Sequence, residues 1–240
     1  MSERTTPRTA RGAGPAGNGA SPSDPVATDG VTSAPPARGS TGSGTRREQV
    51  LDAALQSFGS RGYEATSLDQ LAVELGVRKQ TILYYYPSKA ELLDAVIDAS
   101  SAELAEVLER TLVGAGGGFD RIEAIVRSVF RLALRRPELL GVLREVSRLG
   151  PPAATRLAEN LEPLVQRARE FLVVEMDLGH FRRSDPSLLL LSVYSTVVGV
   201  ATEVEVLRAV GIEPTLRSTA IRRRELIQFL RRALVEDATV

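Results

Sequence analysis

The stretch Thr66 to Lys89, TSLDQLAVELGVRKQTILYYYPSK, constrains the fold more than any other, because it spells helix, tight turn, helix and stop in quick succession. Thr66 followed by Asp69 makes a weakened capping box, which predicts that Thr66 opens the first helix. Leu68, Leu71, Ala72 and Leu75 recur at helical spacing and give that helix one apolar face. Gly76 then stops it, since glycine enters the left-handed conformation of such a stop without steric cost. Val77 is expected to be a buried pivot. A second short helix begins at Arg78, Lys79, Gln80 and Thr81, continues through Ile82, Leu83 and Tyr84, and ends near Pro87, which disfavours helix in the residue before it.

This is the pattern of a helix-turn-helix. The first turn of the second helix carries side chains suited to a DNA major groove. Arg and Lys donate to guanine O6 and N7, Gln pairs with adenine, and a Thr methyl meets the thymine methyl. The tyrosine hydroxyls that follow are within reach of phosphates. Taken alone, a helix–glycine–helix pattern also fits a solvated charged turn in an ordinary helical domain.

Read together, residues from about Arg46 to Leu93 resemble the DNA-binding domain of the TetR/AcrR family of bacterial transcriptional regulators. The matching text is VLDAALQSFGSRGYEATSLDQLAVELGVRKQTILYYYPSKAELLDAV. The resemblance is carried by Phe58, Gly62, Tyr63, Thr66, Leu71, Ala72, Gly76, Val77, Thr81, Ile82, Lys89 and Leu92. Three departures stand out. Arg78 occupies a position usually held by a capping Ser or Thr. Leu83 stands where the family usually has a phosphate-contacting Tyr, a contact assigned here to Tyr84. Tyr85 and Tyr86 replace His-Phe.

The resemblance implies an all-α chain. A three-helix DNA-binding domain spans 45–93, with its helix-turn-helix at about 67–86, and an effector-binding and dimerisation domain spans 94–240. The implied DNA contacts are Arg46, Arg47, Thr66, Ser67, Arg78, Lys79, Gln80, Thr81, Tyr84, Tyr85 and Lys89.

Residues 1–44 are Gly, Ala, Pro, Ser and Thr with scattered arginines (Arg4, Arg8, Arg11, Arg38) and no apolar periodicity, which predicts a disordered tail. A first helix follows from Arg46 to Ser60, with Val50, Leu51, Ala54, Leu55 and Phe58 as its stripe. Ser88 and Glu91 form a capping box for a helix running to about Leu112. A glycine loop, Gly114 to Gly118, lacks the Lys-Ser/Thr of a P-loop. The next stripe is Ile122, Ile125, Val126, Val129, Phe130 and Leu134. A short helix from Glu138 to Leu149 precedes a long one to near Asp177, in which Pro163 predicts a kink or break. A helix from Asp185 to about Arg208, apolar all round, is expected to be buried. A last helix, Thr215 to Val235, is expected to bury Ile221, Leu226, Phe229, Leu230 and Leu234.

Composition narrows the function. Lys and Arg number 30 and balance 30 Asp and Glu, so any contact with DNA must come from a local basic patch. The only lysines are Lys79 and Lys89. With no cysteine, thiolate chemistry and Cys-based zinc sites are excluded, and the lone His180 makes a poor metal site. No Ser-His-Asp or Cys-His set points to an enzyme, and no cofactor is expected. The most apolar run, Leu188 to Val200, is shorter than the roughly 20 residues a bilayer needs, and no signal-peptide core is evident, so a soluble cytoplasmic protein is expected.

The resemblance further implies a homodimer on a palindromic operator, since two readers multiply affinity. Ser192, Ser195, Gly199, Leu226, Phe229 and Leu230 are the expected interface. A small, mostly apolar effector is expected among Leu104, Leu108, Val126, Phe130, Leu143, Arg144, Leu164, Ala168 and Phe171. Ser128, Glu145, Asn160 and Gln166 are further polar candidates for that pocket. The expected protein is a repressor that such a ligand releases. An activator, a regulator without an effector, a small helical enzyme and an interaction protein remain the alternatives.

Overall fold

The chain enters its first helix, α1 (Arg46–Arg61), at Thr45. The Thr45 hydroxyl accepts from Glu48 N, and the Glu48 carboxylate accepts from Thr45 N at 2.7 Å. Two otherwise orphaned amides are thereby satisfied. The computed structural model describes residues 44–235. The tail expected over 1–44, with its four arginines, lies outside the described residues apart from Gly44, as do 236–240.

All described elements are helical: α2 (Leu68–Leu75), α3 (Lys79–Tyr85), α4 (Lys89–Leu112), α5 (Phe119–Arg135), α6 (Pro137–Leu149), α7 (Ala153–Asp177), α8 (Pro186–Thr202), α9 (Val204–Ala209) and α10 (Leu216–Leu234). They form two cores. The first gathers Val50, Ala54 and Phe58 of α1, Leu71 of α2, Ile82 of α3 and Leu92 and Val96 of α4, together with Leu139, Val142 and Val146 of α6. The second gathers Ile122, Val126 and Phe130 of α5, Leu172 and Met176 of α7, Phe181, Val197 of α8, and Leu226 and Leu230 of α10.

The helix that fills the first core behind the reader is therefore α6. It crosses α1 with backbone against backbone. A Cβ on Gly59 would run into the Glu138 carbonyl, and one on Gly141 would run into the Gly59 carbonyl. Only glycine, with no Cβ, on both helices allows the two backbones to meet there.

Several expectations are corrected. Leu134 is exposed and Leu132 takes its place in the core, one half-turn around α5. α7 runs unbroken through Pro163. Proline removes one amide from the ladder, but Pro163 and Glu159, whose carbonyl loses that partner, both lie at the surface where water can serve. The helix expected to run to Arg208 stops at Thr202. There Arg222 of α10 donates to the Val200 carbonyl, which a continued helix would have offered to the Val204 amide. Burial holds the Arg222 guanidinium below its ordinary pKa, and the C-terminal carbonyls of α8 supply compensating negative potential. Nor is α8 buried all round. Leu188, Leu191 and Tyr194 are exposed, as are Ile221 and Phe229 of α10.

α4 is clamped to α7 by a two-pronged ion pair. Arg156 donates to Asp98 at 2.8 and 2.6 Å, and Asn160 adds a bond to the same carboxylate at 2.8 Å. The Arg156 hydrogen bonds hold the Asp98 carboxyl below the usual carboxylate range.

Two predictions follow from this packing. Gly141→Ala should lower unfolding stability by about 1–3 kcal/mol in urea titrations, through overpacking against backbone that cannot swing away. Gly117→Ala, with open space around it, should stay within about 0.5 kcal/mol of the parent. For Asp98 the folded pKa lies below the unfolded one. Its contribution is thus complete above about pH 4 and is lost as pH falls through the folded value. Melting scans across pH 2–6 should show an acid-side loss that is smaller in Asp98→Asn.

Candidate nucleic-acid interface

The turn between α2 and α3 is set by Gly76, which sits at φ 63° and ψ 35° while its amide bonds back to Val73. A side chain in this left-handed conformation would be strained. The Val77 amide bonds to Ala72 O at 2.9 Å, and its side chain is half-buried rather than the fully buried pivot expected. Ser67, not Thr66, caps α2. The Ser67 hydroxyl accepts from Gln70 N, and the Gln70 side chain accepts from Ser67 N. Thr66 is buried, and its hydroxyl donates to Gly62 O at 2.9 Å. That inward bond is why Thr66 neither caps the helix nor reaches the surface.

α3 begins without a side-chain cap, because Arg78 has no short acceptor to offer the orphan amides. Its guanidinium is exposed and, among the described residues, has no carboxylate within ion-pair distance. Gln80 is exposed, and Tyr84, four residues on, is 81% exposed on the same face. Thr81 and Tyr85 are half-buried, and Tyr85 packs edge-on to Tyr84 at 5.1 Å. Ile82 and Tyr86 turn inward and hold α3 on the first core.

The remaining expected contacts divide. Arg46 is exposed and bonds to Gln49 at 2.8 Å. Arg47 is exposed, with its guanidinium 5.1 Å from the centre of the Tyr86 ring. Lys89 does not project freely. Its ammonium lies 4.0 Å from the centre of the Tyr63 ring, a cation–π contact that occupies it within the domain. Lys79 donates to Asp69 at 2.8 Å.

Sequence reasoning missed how this reader is tied down. Tyr63 N, in the turn before α2, donates to the Glu145 carboxylate of α6 at 2.8 Å, and Arg148 holds the same carboxylate at 2.9 and 3.0 Å. These bonds, Arg148 first, hold the Glu145 carboxyl below its ordinary range. Together with the glycine crossing, they fix α1 and the start of α2 to α6. The paired small residues Gly59 and Gly141 were visible in the sequence, but nothing local linked them.

The pattern of bacterial regulatory proteins of the tetR family matches residues 50–96. That match covers α1 from Val50 through the first third of α4, the segment that holds the helix-turn-helix. The HTH-type transcriptional repressor DrrR1 of Streptomyces coeruleorubidus is 33% identical over 106 residues, which are 44% of this chain and 38% of that protein. The HTH-type transcriptional repressor KstR of Mycobacterium tuberculosis is 25% identical over 127 residues, 53% of this chain and 58% of that protein. The chain thus spans less than two thirds of the length of either relative. In fold it is similar to AibR, solved in complex with isovaleryl coenzyme A and operator DNA. The TM-score is 0.66 at 19% identity, over 77% of this chain and 97% of that one.

The expected effector residues do not share one cavity. Val126, Phe130 and Phe171 belong to the second core, Leu104 and Leu143 to the first. Leu108, Leu164 and Ala168 are half-buried, and Arg144 is exposed and paired with Glu203 at 2.8 Å. The other polar candidates already have partners: Thr111 for Ser128, Asp98 for Asn160 and Glu162 for Gln166. Of the expected residues Arg144 alone lines a cleft of about 460 Å3, between Gln56 and Ser60 of α1, Glu138 of α6, and Thr202. Of the expected interface residues, Leu226 and Leu230 are buried within the chain, whereas Ser192, Ser195 and Phe229 are exposed and Gly199 is half-buried. Among the described residues no helix is long and apolar enough to cross a membrane, and no group of three metal-ligating side chains occurs.

Arg78→Ser makes a sharp test of this geometry. Restoring a capping hydroxyl should raise stability by about 0.5–1 kcal/mol in urea titrations. The same substitution removes an unpaired cation, so affinity for any duplex should fall even as the protein becomes more stable.

Proposed function

We propose that this chain is a sequence-specific DNA-binding regulator of transcription, a homodimeric repressor released from its operator by a small, mostly apolar ligand. The observation that carries the reading is the exposed face of α3. Arg78, Gln80 and Tyr84 stand free there, while Ile82 and Tyr86 anchor the helix behind them. Arg78, Arg46, Arg47 and Tyr84 serve phosphates, and Gln80 and Thr81 serve base edges. Ser67, Tyr85, Lys79 and Lys89 border this face. The repressor names of two relatives agree with the reading.

Dimerisation is supported by the apolar residues that α8 and α10 leave uncovered. Leu188, Leu191 and Tyr194 recur at helical spacing on α8, and Ile221 and Phe229 lie on α10. A groove of about 620 Å3 runs between these helices, and Phe229, 59% exposed, lines it. A second copy related by a two-fold axis would cover this face with the same face of its own. The effector site is proposed near the expected residues of α4, α5 and α7, which line the two cores from either side. Ligand must favour the form that does not fit the operator, or it shifts nothing.

Fluorescence-anisotropy titration against the DNA upstream of the gene, with a scrambled duplex alongside, tests the whole reading. Selective binding that weakens with salt is expected. Equal affinity for both duplexes would refute it. Gln80→Ala should alter preference at particular base pairs by about 1–3 kcal/mol. In light-scattering chromatography Phe229→Glu should convert the dimer to monomer, and operator affinity should fall with it.

A further inference from the structure

We infer that Asp69 commits Lys79 to reading a base edge, and so acts as a specificity-determining residue that repels the phosphate backbone. The inference rests on the DNA-binding reading above and adds a role for an acidic side chain within the reader.

Among the described residues, the three cations around α3 are held differently. Arg78 has no carboxylate partner, and Lys89 lies on the Tyr63 ring. Lys79 alone is paired with an acid, Asp69 in the first turn of α2, at 2.8 Å. The pair spans ten residues and is made possible by the left-handed turn at Gly76, which brings the start of α3 beside the start of α2. The Asp69 side chain is 69% exposed and the Lys79 side chain 42%, so the pair lies on the open side of the reader rather than in its core.

An ammonium has three hydrogens, and one is directed at Asp69. Two remain for an incoming acceptor. A phosphate brought to them would place its negative charge beside the Asp69 carboxylate, and like charges repel. Guanine O6 and N7 are neutral acceptors and meet no such penalty. The carboxylate thus makes Lys79 a poor phosphate anchor and a discriminating partner for guanine. Arg78, the adjoining residue, keeps the phosphate role. Asp69 in the first turn also favours the α2 dipole, a purely structural role that the experiment must separate.

The test compares the parent, Asp69→Asn, Asp69→Glu and Lys79→Ala by anisotropy on the upstream duplex and on a scrambled duplex, across a salt series. Circular dichroism checks that each variant is folded. Asp69→Asn should bind the scrambled duplex on the order of three- to ten-fold more tightly at low salt, because the freed ammonium now takes a phosphate. Its salt slope should steepen by about 0.9, the value of one added phosphate contact. Discrimination between the duplexes should shrink accordingly, and Asp69→Glu should restore it. Replacing the guanines of the selected site by 7-deazaguanine should weaken the parent but leave Lys79→Ala unaffected.

A different pattern overturns the inference while leaving the regulator intact. Selective binding with an Asp69→Asn slope equal to that of the parent would show that the carboxylate does not govern Lys79. So would a Lys79→Ala slope lower by about 0.9 on both duplexes, which marks a plain phosphate contact. If no variant binds any duplex at low salt, the DNA-binding reading and this inference fall together.

Discussion

The contact between α1 and α6 at Gly59 and Gly141 is the constraint from which the arrangement of the reader follows. Because no side chain separates the backbones there, Val142 and Val146 of α6 can enter the same core as Ala54 and Phe58 of α1. α2 and α3 are short, and helices of this length are marginal alone in water. Their order depends on the surface that α1, α4 and α6 present. Glu145 completes the attachment by accepting the Tyr63 amide just before α2 begins. The reader is held from behind by packing and at its entry by a charge-assisted bond.

A second theme is how the chain manages charge with zero net balance. Many arginines at the surface are matched to acids, as Arg61 is to Glu74, Arg156 to Asp98 and Arg144 to Glu203. Exposed pairs of this kind contribute little stability individually. Among the described residues Arg78 and Arg47 lack such a partner, as do Arg121, Arg131, Arg217 and Arg232 elsewhere on the surface.

Much of this was legible in the residues. The stop at Gly76, the uncapped Arg78, the exposed Tyr84 and the helix from Lys89 to Leu112 all depend on near neighbours in sequence, and local rules capture them. Thr66 and Ser67 show the limit. Both precede a suitable acceptor-bearing residue by three positions, and only the bond from Thr66 to Gly62 decides which one caps. Features that depend on distant residues were not legible. The end of α8 at Thr202 requires Arg222, and the inward turn of Leu132 in place of Leu134 depends on where α6 lies. The apolar surface of α8 deceived for a related reason: hydrophobic on every side, it predicts burial, but what covers its outer face is not within the single chain.

The two tethers on α6 have a mechanical consequence. Arg144 holds Glu203 at the break between α8 and α9, and the next residue, Glu145, holds the turn before α2. Adjacent residues on a helix point about 100° apart. The Glu145 bonds and the glycine crossing resist a roll of α6 against α1, while the exposed Arg144 pair adds little to that resistance. The glycine crossing, having no compressible side chains, also sets the distance between the two helices. What remains soft is tilt, with the crossing as fulcrum. Any tilt of α6 against α1 would turn on a pivot of bare backbone.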